Sequence, residues 1–150
     1  MLTYLFVPPL RPPAIQPRTY SGVERRDAVF PNRNHNPDTA WGLLQKEHDA
    51  RMVAVEFKNY DDTEIGREEV DQTSNYLRPT WGRLAILCTN KPPNESAHRR
   101  RNTIYSTEDK KLILFITTAD LLEMLDIKER GEDPADFILD SIEDFYLQHE

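Results

Sequence analysis

The chain has 150 residues, of which 38% are hydrophobic and 30% charged, and a formal net charge of −7. One domain built on one core is the default at that length, and no apolar run reaches the roughly 20 residues that a membrane-crossing helix needs. The opening MLTYLFVPPL lacks a basic region before its apolar patch and a small-residue cleavage site after it, so it makes a poor secretory signal and a cytoplasmic location is expected.

Charge is unevenly placed along the chain. Residues 118–150 hold eleven acids against two bases, a balance of −9, which leaves residues 1–117 with seventeen bases against fifteen acids, or +2. Local field rather than total charge governs phosphate contacts, so a mildly basic body with an acidic tail is compatible with nucleic-acid binding. Cys88, the single cysteine, sits inside the apolar run LAILC; an intrachain disulfide is excluded and a core thiol is expected. The four histidines form no HExxH pattern, and no cysteine and histidine cluster has zinc spacing. Any metal here should be a hard cation on oxygen ligands.

Taken in order, residues 1–21 read as an arm, because PPLRPPAIQP contains five prolines and proline both fixes the backbone and removes donors. Only MLTYLF precedes it, too little for an opening helix of the domain. Residues 22–117 alternate short strand-like and helix-like runs, the pattern of an α/β layer structure. Val23 to Phe30 is the first strand, ended by the turn-forming cluster PNRNHNP. Asp38 caps a helix through Glu47 with Trp41, Leu44 and His48 on one face. In the strand RMVAVEFKN side chains alternate, so Val53, Val55 and Phe57 share one face while Ala54, Glu56 and Lys58 share the other.

The loop NYDDTEIG then leads into a helix from Arg67 to Arg78, stopped by Pro79. Leu84–Thr89 and Leu112–Ile116 are compact buried strands, and the segment between them holds a short helix bearing Arg99, Arg100 and Arg101. Trp41 and Trp81 read as packing residues. Residues 118–150 form two acidic helices packing on the core. The first is capped by Thr117 or Thr118 and carries Leu121, Leu122 and Leu125; the second opens at Asp133-Pro134 and turns Ile138, Ile142, Phe145 and Tyr146 inward. The fold class expected is α/β: a mixed central sheet of about four strands flanked by helices, with two C-terminal helices.

One constellation can carry chemistry: Asp27 in one strand and, 29 residues later, Glu56-Phe57-Lys58 in a second. Two carboxylates on adjacent strands supply hard oxygen ligands for Mg²⁺, and the backbone carbonyl of Phe57 could add a third. Lys58, on the face of Glu56, can steady an attacking water or the negative charge that builds on a phosphate.

The stretches GVERRDAVFPN and VAVEFKN, with the helix EEVDQTSNYL, resemble the PD-(D/E)xK nucleases, the restriction-endonuclease-like family, over roughly residues 22–116. The resemblance implies a DNA endonuclease dependent on Mg²⁺ or Mn²⁺ and acting in restriction or defence against foreign DNA. Asp27 and Glu56 would hold the metal, Lys58 would orient water, and Gln72 and Tyr76 would stand near the site on the following helix. It also implies a homodimer and a separate recognition domain or protein partner. The basic triplet Arg99, Arg100 and Arg101 can track a DNA backbone, and Arg25 and Arg26, next to Asp27, can lie near a phosphate; the alternative reading of each is a solvated charged surface. Two departures stand out: Arg26 occupies the place of the family's proline, and the usual opening helix is not expected. The alternative is a non-catalytic module of the same fold that binds a protein partner or DNA.

Overall fold

The apolar run at Met52–Lys58 sets the architecture, because among the described residues it is the one strand with neighbours of both directions. The computed structural model describes residues 2–15, 28–58 and 64–149. Along them run α1 (Leu2–Phe6), β1 (Ala14–Ile15), β2 (Ala28–Pro31), α2 (Ala40–His48), β3 (Met52–Lys58), α3 (Arg67–Tyr76), β4 (Leu84–Thr89), α4 (Glu95–Tyr105), β5 (Leu112–Thr117), α5 (Thr118–Glu129) and α6 (Ala135–Gln148). The strands form one sheet in the order β1-β2-β3-β4-β5. β2 pairs antiparallel with β1 and with β3, whereas β3, β4 and β5 are parallel.

Alternation along the central strands feeds two cores. Val53, Val55, Leu84, Ile86, Cys88, Leu112, Leu114 and Ile116 face α1, α2, α5 and α6. Ala54, Ala85, Leu87 and Ile113 face α3 and α4, with Phe115 partly buried against them. The chain is thus a three-layer α/β structure with a mixed sheet of five strands, where about four were expected.

The fifth strand and an unexpected helix both come from the proline-rich opening. Leu2, Leu5 and Phe6 fall on one helical face and are buried in the first core together with Leu10. Phe6 meets Trp41 edge to face at 5.2 Å between ring centroids. Past the prolines, the Arg11 N–H donates to the Pro31 carbonyl and Ala14 pairs with Val29. The expectation of an extended arm without an opening helix is therefore corrected over residues 2–15. Apolar spacing before Pro8 outweighs the prolines that follow it.

Helix ends are set by local side chains. The Thr39 hydroxyl, rather than Asp38, accepts the Gly42 N–H that opens α2, and α2 reaches His48 before Asp49 turns left-handed at φ 52°. In α5 the Thr117 hydroxyl accepts the Asp120 N–H and the Thr117 N–H donates to the Asp120 carboxylate, a reciprocal cap. The Asp133 carboxylate accepts the Ala135 N–H at the start of α6. On α5, Met124 is the fully buried residue, Leu121 and Leu125 pack alongside, and Leu122 is 56% exposed. Ile138, Ile142 and Phe145 are buried as expected, but Tyr146 is 41% exposed and its hydroxyl is hydrogen-bonded to His48 Nε2 at 2.9 Å. Among the described residues no helix is long and apolar enough to cross a membrane.

The turn-rich PNRNHNP hides a structural hub. Asn32 is buried; its amide donates to the Trp41 and Ala50 carbonyls, both at 2.9 Å, while its oxygen accepts from the backbone and side chain of Asn34. It ties the end of β2 to α2 and to the approach to β3. An Asn32→Leu variant leaves two buried carbonyls without their donor, for an expected loss of about 2–4 kcal/mol in urea unfolding; a loss under about 1 kcal/mol would contradict the hub.

His48 makes stability pH-dependent. Burial first, and then the nearby Arg83 guanidinium, lower its imidazole from 6.5 to about 4. The unfolded chain therefore binds the proton more readily, so the stability gained from a neutral His48 is complete above about pH 6.5 and drains away as pH falls towards 4, by about 3 kcal/mol in all. Unfolding free energies of His48→Gln should fall less steeply than those of the wild type across that window, and parallel curves would refute the assignment.

Candidate functional site

Glu56 lies on the face of β3 that carries Ala54, and it is only 4% exposed. Removing a carboxylate from water costs several kcal/mol, which makes a buried glutamate in a central strand a candidate for function rather than for stability. Its strand neighbours are fixed by register. Glu56 pairs with Leu87 and Leu87 with Phe115, so the three form a row across the sheet. On the other side of β3, Val55 pairs with Ala28.

Lys58, half-buried at the end of β3 and opposite Thr89, shares the Glu56 face by strand alternation. Phe57 points the other way and is 42% exposed, so the apolar stripe expected through Val53, Val55 and Phe57 stops at Val55. Asp27, Arg25 and Arg26 lie outside the described residues. Cys88 belongs to the opposite core, where burial pushes its thiol up to about 12. The protein chemistry on the Glu56 face is therefore that of a hard oxygen donor, which suits Mg²⁺ or Mn²⁺ better than a thiolate-seeking ion. Among the described residues, no group of three or more His, Cys, Asp or Glu side chains could hold a metal ion.

The helix after β3 is laid out as its spacing predicts. Val70, Thr73 and Leu77 are buried, Gln72 is exposed and Tyr76 is half-buried. Glu69, on the Gln72 side, accepts the Gly66 N–H at 2.9 Å and so closes the start of α3. The helix stops at Tyr76, since Leu77 is already extended at φ −72° and ψ 132°.

The three consecutive arginines of α4 separate into three environments. Arg99 pairs with Glu95 one turn earlier, both 76% exposed, and Arg100 pairs with Asp71 of α3. Arg101 stacks on rings instead, its guanidinium carbon 4.3 Å from the Phe115 centroid and 4.8 Å from that of Phe145. Burial lowers it from 12.5 to about 10, so it remains a cation at neutral pH. Sequence reasoning treated the triplet as one basic patch and missed the surroundings of Arg101; the only local signal was His98, three residues earlier on the same helix.

Comparison with protein families, with curated proteins and with solved structures finds no match in any of the three.

Proposed function

We propose that this chain hydrolyses phosphodiester bonds in DNA with Mg²⁺ or Mn²⁺, in the cytoplasm and in the service of restriction or defence against foreign DNA. The observation that carries this reading is a register. Ala28 stands opposite Val55, Asp27 precedes Ala28 in sequence and Glu56 follows Val55. Residues directly opposite in an antiparallel ladder share a face, so this reading requires Asp27, the residue before Ala28, to stand opposite the buried Glu56.

In this proposal Asp27, Glu56 and the Phe57 carbonyl are the metal ligands. The ion would offset charge on the phosphate oxygens and make water more acidic. Lys58, one step along the same face, holds the attacking water or the phosphate oxygens. Gln72 and Tyr76 line the approach from α3, and the basic side chains Arg25 and Arg26 meet neighbouring phosphates.

Plasmid and linear DNA incubated with the protein in Mg²⁺ or Mn²⁺ should be cut, and Asp27→Ala or Lys58→Ala should each slow cutting by about a hundredfold or more. Equal cutting by all three proteins would remove the proposed site. Calorimetric titration with Mn²⁺ should show binding to the wild type that Asp27→Ala and Glu56→Gln lose. Absence of binding to the wild type would favour the non-catalytic module instead.

A further inference from the structure

Beside Arg101 lies a pocket of about 460 Å³, lined among others by His98, Asn102, Phe145, Gln148 and His149. It sits where α4 and the end of α6 meet at the β5 edge of the sheet, because Arg101 covers Phe115 of β5 on one side and Phe145 of α6 on the other. Phe115 is two strands from Glu56 in the same row, about 10 Å away at the usual strand spacing.

Among the described residues, the charge in this pocket is unbalanced. Among the described residues no carboxylate pairs with Arg101, and none of those lining the pocket is acidic. Its Nε is buried without a hydrogen-bond partner there, and one Nη approaches His98 Nδ1 at 3.3 Å. Cation–π contact with two rings offsets part of the cost of burying a guanidinium; an anion meeting the Nη donors would offset the rest. Two imidazoles and two side-chain amides around the guanidinium offer more donors than a carboxylate has oxygens, which suits a phosphate group. The volume is far larger than a bare phosphate and falls in the range of small-ligand sites.

We propose that the Arg101 pocket binds the phosphate of a phosphate ester, with Arg101 as its fork and the His98 and His149 rings beside it. The ester could be a free nucleotide or the phosphorylated end of a nucleic-acid strand. This site is independent of the Asp27 and Glu56 reading and needs no metal.

The test is calorimetry on the full chain in EDTA at low ionic strength. The probes are inorganic phosphate, a nucleoside 5′-monophosphate, and a short oligonucleotide with either a 5′-phosphate or a 5′-hydroxyl. The phosphorylated probes should bind, with Arg101→Gln weakening them by about 10- to 100-fold and Arg130→Gln, whose guanidinium pairs with Glu132 away from this pocket, by no more than about twofold. Gln148→Glu, at an exposed lining position, should weaken binding by about tenfold through like charge; it serves as the readout if Arg101→Gln does not fold. A preference for the phosphorylated oligonucleotide over the monophosphate identifies a strand end as the ligand, and the reverse identifies a nucleotide. Asp27→Ala should bind as the wild type does, which separates this site from the nuclease reading. Unchanged affinity in both Arg101→Gln and Gln148→Glu, or no binding of any phosphorylated probe by about 10 mM, would overturn the proposal.

Discussion

Strand β3 is hydrogen-bonded on both edges, antiparallel to β2 and parallel to β4, and everything about the Glu56 face follows from that double constraint. A slip of one residue would exchange the two faces and drive Glu56 and Lys58 into the apolar core between the sheet and α1, α2, α5 and α6. The start of the strand is accordingly pinned. The Met52 N–H donates to the Trp81 carbonyl at 3.0 Å, the Asn32 N–H to that of Arg51 at 2.8 Å and the Arg83 N–H to that of His48 at 2.9 Å. Gly82, at φ 109°, lies so close to this bend that a β-carbon would stand 2.0 Å from the Asp49 oxygen. Only glycine meets both the backbone angle and the space.

The two-residue period of RMVAVEFKN was the most legible part of the chain, because a half-polar strand leaves a strict alternation in the sequence. Leu84–Thr89, buried at every position, was legible for another reason: a strand covered on both faces is apolar throughout. What stayed hidden depended on contacts between distant segments. Asn32 reads as one more turn residue, and its hub role exists only when Trp41 and Ala50 are brought beside it. The prolines of the opening mask the three apolar residues before them, whose value appears only against Trp41 and the sheet. At the candidate site, spacing could assign Glu56 and Lys58 to one face, but not foretell that Glu56 would be covered almost entirely.

Charge was the least legible property, and α4 explains why. Successive residues on a helix point about 100° apart, so identical neighbours meet different surroundings. Arg99 finds a glutamate of its own helix, Arg100 an aspartate of α3, and Arg101 two phenylalanines from elements that follow it in the chain. A count of bases treats these as equal. The fold leaves Arg101 with no acidic partner among the described residues.

Helix α1 lies against α5, where the Lys128 ammonium donates to the Tyr4 carbonyl and sits 4.1 Å from the Tyr4 ring centroid. Pairings between residues so far apart in the chain carry a large loop-closure cost and form late. During synthesis the apolar face of α1 must wait for more than a hundred further residues before its seat against α5 exists. Through that interval the part of the α1 face that α5 covers stays open to other apolar surfaces, and chaperones that hold short hydrophobic stretches would find their opportunity there.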